Sequence, residues 1–193
     1  MGRVAAELGA STMALYRYVA TKDELLALMV DTAIGAPPNP DGIDGWRPRL
    51  SAWAWAQHER IRHHHWALQV PITGPPTTPN QIAWLEAALR VLADTGLAEH
   101  EKASAVLLLS GYVRSEAALT ADLETRFLVA DPDEAMSSYA NLLRKLLDPQ
   151  HFPALHTLLA DGVFDKADDP DTEFSFGLER ILDGIGALIA TRA

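Results

Sequence analysis

Hydrophobic positions recur at intervals of three and four along most of this chain, and the interruptions fall at glycine, proline and short polar residues. That is the pattern of amphipathic helices with defined ends. In "GRVAAELGA" Val4, Ala5 and Leu8 share one face, and Gly9 offers the left-handed conformation in which helices stop. Ser11 or Thr12 can cap "TMALYRYV", whose Leu15 and Val19 face inward. Thr21, with Glu24 three residues on, forms a capping-box pattern ahead of "LLALMV". Three short helices with tight connections are therefore expected up to Ile34. "GAPPNPDGIDG", residues 35–45, has the composition of a linker and marks a domain boundary.

Beyond the linker, Trp46, Leu50, Trp53, Ile61 and Leu68 predict a long helix running to about Val70, ended by "PITGPPTTPN". Thr78 and Pro79 read as the cap and first turn of a helix carrying Ile82, Leu85, Leu89 and Leu92 and stopping near Gly96. A mostly apolar helix is expected from about Glu99 into the 120s, another from Asp131 and Pro132 to about Leu147, and a short one from Pro153 through Leu159. "DGVFDKADDPDTE" is an acidic connector, and a last helix from about Thr172 aligns Phe174, Leu178, Ile181, Leu182, Ile185, Leu188 and Ile189. No stretch shows strand alternation. The fold class is all-α: residues 1–34 form a small helical head, 35–45 a linker and 46–193 a larger helical domain.

Composition narrows the function classes. The 193 residues are 48% hydrophobic, enough for a packed core, and contain no cysteine, which excludes disulfide and thiol chemistry. No apolar run reaches the roughly 18–20 residues of a membrane span, and no secretion segment follows Met1, so the expected location is the cytoplasm. The net charge of −10 opposes nucleic-acid binding by the chain as a whole. Up to Ile34, however, Arg3, Arg17 and Lys22 stand against Glu7, Asp23, Glu24 and Asp31, a net −1 that leaves −9 to the rest. The acidity thus lies mostly outside the head.

A helix that reads DNA needs small polar residues at its amino end, side chains long enough to reach groove edges and an apolar inner side that fixes its angle. "STMALYRYV" supplies all three. With its surroundings, "LGASTMALYRYVATKDELL" resembles the helix-turn-helix head of the TetR family of bacterial transcriptional regulators: Leu-Gly, a small-polar pair, Leu-Tyr-x-Tyr and Lys-Asp-Glu-Leu occur in order. The resemblance implies that Ser11, Thr12, Met13, Tyr16, Arg17 and Tyr18 contact DNA and that Lys22 meets a phosphate. Tyr18 stands where many members carry histidine. The family also has a helix of several turns ahead of "GRVAAELGA", so the head is expected to be incomplete at its N-terminus. With Leu8, Leu15 and Val19 lacking that partner, weak operator binding is expected of the sequence as written.

"FSFGLERILDGIGALI" is similar to the closing helix of tetracycline-repressor-like members. This implies a body that encloses a small molecule and pairs with a second copy through a four-helix bundle. Phe174, Gly177, Leu178, Ile181, Leu182, Gly184, Ile185 and Leu188 are the expected dimer interface, because an apolar stripe this wide does not suit a solvent-facing helix. Gly177 and Gly184, each costing about 1 kcal/mol relative to alanine, suggest close helix approach. In the long helix, Gln57 and His64 fall at 100° per residue in the centre of the apolar stripe, beside Trp53 and Ile61. Either another helix or a ligand must satisfy such inward polar groups. Gln57, His64, Trp53, Ile61, His65 and Tyr112 are the candidate ligand-binding residues, with His58 and Arg62 at the rim. Tyr112 is equally explained by packing in a central helix. Trp66 and Trp84 read as core or interface residues.

Metal and enzyme readings are weaker. His63, His64 and His65 diverge by about 100° each on a helix, and "HERIRH" departs from the zinc motif by placing Arg62 at the second histidine position. The acidic group Asp165, Asp168, Asp169 and Asp171 lacks the glycine and terminal glutamate of a calcium loop. No P-loop, dinucleotide fingerprint or nucleophile elbow is present, and no catalytic residue, cofactor or metal is assigned. The expected partners are operator DNA as a palindromic duplex, a largely apolar small-molecule effector and a second copy of the chain, with no membrane. The alternatives are a helical ligand-binding or protein-interaction module that no longer reads DNA and, more remotely, a small helical enzyme.

Overall fold

The computed structural model describes residues 1–127, 131–169 and 171–192, so Pro170 of the acidic connector lies outside the described residues. The head contains α1 (Gly2–Glu7), α2 (Thr12–Leu15) and α3 (Lys22–Ile34). The body contains α4 (Trp46–His63), a 3-10 segment (His65–Gln69), α5 (Pro79–Val91), α6 (Glu99–Phe127), α7 (Pro132–Leu146), α8 (Pro153–Ala160) and α9 (Thr172–Ala190). Among the described residues all regular structure is helical.

Capping chemistry sets the head. Ser11 Oγ accepts from the Ala14 amide at 3.1 Å, which starts α2, and Thr21 Oγ1 accepts from the Glu24 amide at 3.0 Å, which starts α3. Glu24 reaches back one residue beyond the usual capping box, its carboxylate accepting from the Ala20 amide at 2.6 Å. The second helix is much shorter than "TMALYRYV" predicts. After Leu15 the chain continues in tight turns, with the Arg17 and Tyr18 amides donating to the carbonyls of Ala14 and Leu15. Tyrosine and valine are mediocre helix formers, and tight turns carry the chain round to α3. Val19 is nevertheless buried and Leu15 half-buried, while Leu8 is 66% exposed.

The body core lies where α4, α5, α6 and α9 meet. Leu50 and Trp53 from α4, Trp84 and Ala88 from α5, Leu109, Val113 and Ala117 from α6, and Phe174, Leu178 and Leu182 from α9 are all buried there. Residues at spacings of three and four close each helix onto this core, so the periodicity translates directly into packing. With 29 residues, α6 is about 43 Å long and forms the body's spine. α7 and α8 pack on each other, and the turn after α8 is fastened to α7, Tyr139 meeting Phe164 edge-on at 5.6 Å and Arg144 bonding Asp165 at 2.8 Å. They leave Leu142, Leu146 and Leu158 exposed.

The long helix predicted to reach Val70 stops at His63. His64 leaves helical geometry at φ −131°, ψ 52°, and the chain resumes as the 3-10 segment. Arg114 of α6 donates to the carbonyls of Leu68 and Val70 at 3.1 and 3.2 Å, satisfying acceptors at the end of that segment before Pro71. His64 and Leu68 therefore do not belong to the α4 stripe. The buried face of α4 turns toward Leu50, Ala54, His58 and Ile61.

Candidate functional sites

All seven head residues singled out in the sequence are exposed: Ser11, Thr12, Met13, Tyr16, Arg17, Tyr18 and Lys22. Tyr18 is 83% and Met13 76% exposed, unusual for large apolar side chains on a folded head without a partner. Ala5 and Val19 form the buried side of the same unit. The aromatic, thioether and guanidinium groups are thus presented outward.

The head is tied to the body through α3. Asp31, 6% exposed, lies in the last turn of α3 and reaches the N-terminus of α5. Its Oδ1 accepts from the backbone amides of Asn80 at 2.9 Å and Gln81 at 3.0 Å, and its Oδ2 accepts from Asn80 Nδ2 at 2.9 Å. One turn further along α5, Trp84 Nε1 donates to the Gly35 carbonyl at 2.8 Å. Beside this seam, Leu25, Leu28, Met29, Thr32 and Ala33 of α3, with His64 and Trp66, line an open, mainly apolar groove of about 480 Å³.

Inside the body the principal polar feature joins α4 to α6. His58, 1% exposed, shares a hydrogen bond of 2.6 Å between Nε2 and Glu116 Oε2. The other carboxylate oxygen accepts from Thr120 Oγ1 at 2.8 Å. The imidazole stacks on Phe174 with ring centres 4.0 Å apart, and Trp55 meets both rings edge-on. The rings and the second hydrogen bond enclose the pair, so its polar atoms are satisfied away from water.

The candidate ligand residues divide. Trp53 and Ile61 lie in the core, and the Trp53 indole donates to the Trp84 carbonyl at 3.0 Å. Gln57 is half-buried with its Oε1 shielded from solvent and without a hydrogen-bond partner. His64 faces the α3 groove, so it is separated from Gln57 by the helix break, and His65 begins the 3-10 segment. The hydroxyl of Tyr112 lies 2.9 and 3.0 Å from the carbonyls of Glu173 and Phe174, a contact that docks α6 on α9. Burial, with the charges of Glu116 and Glu173, pushes its pKa above the ordinary tyrosine value. Its donor is already engaged within the chain.

The candidate interface also divides, and five of its eight residues need correction. Phe174, Leu178, Leu182 and Ile185 are at most 5% exposed in the single chain, so they close its own core and have no surface left for a partner. Gly177 receives Tyr112, since a Cβ there would overlap the ring at 2.5 Å from Cζ. Gly184 is exposed, with no heavy atom within 4 Å of a Cβ, and Ile181 and Leu188 are half-buried. Phe176 beside them is 61% exposed. On α6, Leu107, Leu108 and Leu119 are 75%, 57% and 60% exposed, and Gly111 and Ser115 share their face. At the foot of α9, Asp183 is held below the usual carboxylate range by hydrogen bonds from Arg180 and then Arg47, the latter also bonded to Glu179 at 2.5 Å.

Sequence reasoning passed over Asp31, Glu116 and the exposed leucines of α6. A signal existed for each: Asp31 interrupts the apolar run "LLALMVDTAI", Glu116 is a lone charge inside "SEAAL", and Leu107 and Leu108 extend the apolar girdle beyond what one core can cover.

Residues 37–189 match the family described as the tetracyclin repressor-like C-terminal domain. Over 198 aligned positions the chain is 37% identical to the HTH-type transcriptional repressor DrrR1 of Streptomyces coeruleorubidus, the match covering all of this chain and 71% of that protein. Over 69 positions, 33% of this chain and 36% of the relative, it is 39% identical to the HTH-type transcriptional repressor SCO4008 of Streptomyces coelicolor. Among solved structures, ActR of S. coelicolor superimposes with a TM-score of 0.75 at 26% identity, covering 97% of this chain and 86% of ActR. The ActR structure in complex with actinorhodin gives 0.76 over the same shares. A head that presents Ser11, Thr12, Met13, Tyr16, Arg17 and Tyr18 outward over a buried Val19, an all-helical body and these matches together place the chain in the TetR family of helix-turn-helix transcriptional regulators.

Proposed function

We propose that this protein is a homodimeric repressor that holds a palindromic operator through two heads and is released when a largely apolar small molecule occupies the body. The observation that carries the DNA-reading part is the exposure of Ser11, Thr12, Met13, Tyr16, Arg17, Tyr18 and Lys22 on a head joined to the body through α3. The effector part is supported by ActR, a protein of the same fold whose structure holds actinorhodin, and by the buried, unused acceptor of Gln57 beside the Trp53 and Ile61 core. Gln57, His65 and the aromatic wall of Trp53 are the residues assigned to meet the effector, and His64 the approach from the groove. Dimerisation is assigned to the exposed apolar faces of α6 and α9, with Leu107, Leu108, Gly111, Leu119, Ile181, Gly184 and Leu188 toward the partner. The protein acts in the bacterial cytoplasm.

Such a repressor works by differential binding. An effector that prefers the arrangement in which the two recognition helices are no longer one helical turn apart shifts the population away from the DNA-bound form. Selection from a random duplex pool should return a palindrome with half-sites about 34–36 Å apart, bound with steep salt dependence. Actinorhodin added to the complex is a first probe of release. Enrichment of no duplex, with the dimer intact, would favour a ligand-binding module that has lost DNA reading.

A further inference from the structure

The N-terminus of α5 carries two candidate caps, and only one is in use. Thr78 occupies the N-cap position with extended backbone (φ −100°, ψ 153°), yet its side chain makes no capping bond. Its Oγ1 is buried and has no hydrogen-bond partner. Pro79 fills the first helical position, so the next two amides, those of Asn80 and Gln81, are the donors that an N-cap hydroxyl ordinarily accepts from. Both are taken by Oδ1 of Asp31, which arrives from the head. The cap of a body helix is therefore supplied across the head–body seam.

The placement of Asp31 is unfavourable on its own helix. It sits in the last turn of α3, where the helix dipole repels negative charge, and it is 6% exposed. The N-terminus of α5 offsets both costs, with two backbone amides, the Asn80 amide side chain and the positive end of a second dipole converging on one carboxylate. Asn80 Nδ2 also donates to the Asp31 carbonyl at 3.1 Å, and Trp84 to Gly35, so the end of α3 is bound at three successive points. From Trp84 the contact continues to Trp53, whose indole bonds the Trp84 carbonyl and whose ring lies 5.6 Å away.

We infer that the start of α5 is a two-position switch in which Asp31 and Thr78 compete for the amides of Asn80 and Gln81, and that Asp31 is the positioning residue that fixes the angle of the DNA-reading head. With Asp31 in place, the head is docked, as in this structure. With Thr78 in place, α5 remains capped by its own hydroxyl, the carboxylate returns to water and α3 is free to pivot. Because Thr78 already occupies the N-cap position, release leaves one amide capped by its hydroxyl and hands only the other to water, so the two states can lie close in free energy. Coupling of this kind needs a discrete two-state element, which the shared amides provide. The inference that the switch governs operator binding rests on the repressor reading above. The exchange of caps stands without it.

Amide hydrogen exchange on the intact protein tests the switch, using Asp31→Ala, Thr78→Val and the double variant. In Asp31→Ala one of the Asn80 and Gln81 amides should stay protected, because Thr78 takes it over, while the other and the last turn of α3 exchange faster. In the double variant that protected amide should exchange about tenfold faster than in either single variant, a non-additive loss. Thr78→Val alone should leave the docked state unchanged or more populated. Asp31→Asn, which keeps the shape and one acceptor oxygen, guards against a folding defect, and it should give an intermediate result with unchanged protection in the Leu109 and Val113 region of α6. Equal and additive effects of the two single variants would overturn the switch. Operator titrations of the same proteins then separate the two proposals: if the wild type binds no duplex, the repressor reading fails while the exchange result decides the cap. If the wild type binds and Asp31→Ala binds with equal affinity and salt dependence, the positioning role of Asp31 is refuted.

Discussion

Gly184→Ala distinguishes a helix that faces water from one that faces a second copy. In the single chain no heavy atom lies within 4 Å of a methyl built at this position. If α9 were solvated there, the substitution would only exchange a poor helix former for the best one, worth about 1 kcal/mol, or roughly 2–4 °C in Tm for a chain of this size. On a two-fold interface the methyl enters twice. Each intrusion into a packed contact costs about 1–3 kcal/mol, so the dimer is weakened by about 2–6 kcal/mol, roughly thirtyfold or more in Kd. Gly177→Ala is the internal contrast, because its Cβ would lie 2.7 Å from Tyr112 Cε2 of the same chain. That variant should be less stable whatever the protein concentration. Sedimentation equilibrium with thermal unfolding at low and high concentration reads both effects. A Gly184→Ala protein that is more stable and dimerises with undiminished affinity would refute the assignment of this face to the interface.

Lys22→Ala should weaken operator binding about equally for all sequences and lower the slope of log K against log salt by about one, read by fluorescence anisotropy across a salt series. Glu116→Ala leaves His58 Nε2 buried without its hydrogen-bond partner, so urea unfolding should show a loss of about 1–3 kcal/mol, while replacing both partners with apolar residues of similar volume should recover most of it. Tyr112→Phe removes the donor to the α9 carbonyls, for about 1 kcal/mol at neutral pH. Since burial raises the Tyr112 pKa in the fold, the wild-type advantage is complete below the ordinary value of 10.0 and disappears as pH rises through the raised one. Urea midpoints of the two proteins should therefore converge in strong alkali.

The helices were legible because their signals are local. Thr21 with Glu24, Asp131 with Pro132 and the pairing of Thr78 with Pro79 mark the starts of helices that begin at Lys22, Pro132 and Pro79. The contents of the interior were not legible, because they depend on how each helix is rotated about its axis. The expected α4 stripe includes Leu68, which belongs to the 3-10 segment, and its centre falls on Gln57 and on His64, the residue at the helix break, whereas the structure buries His58. A rotation of one residue, about 100°, exchanges a buried group for its neighbour. Likewise the apolar stripe of α9 holds two functions in one pattern, since Leu178 and Leu182 close the core while Phe176 and Gly184 remain outside. Periodicity counts apolar residues but does not assign them to one side of a helix that is covered on two. Asp31 was invisible for a different reason: its role is the cap of a helix 49 positions away, and no local pattern carries that.

The same geometry explains how an acidic protein can carry a DNA reader. Most of the −10 charge lies on the body, and at physiological salt charges more than about 8 Å apart are largely screened from one another across solvent. Net charge then matters less than which groups sit within a Debye length of the phosphates, and the exposed charges of the head, Arg17 and Lys22 with Asp23 and Glu24 among them, nearly cancel where those of the body do not. Asp31, acidic and in the head, is buried against α5 and turned toward the body. Releasing it would return a carboxylate to the solvated end of α3 while freeing the head's angle, so undocking and reduced phosphate attraction would act in the same direction. A switch that uses one side chain both as mechanical tie and as sequestered charge thereby gains operator discrimination from two physical terms, and their salt dependence tells them apart: the electrostatic part fades with added salt, whereas the geometric part does not.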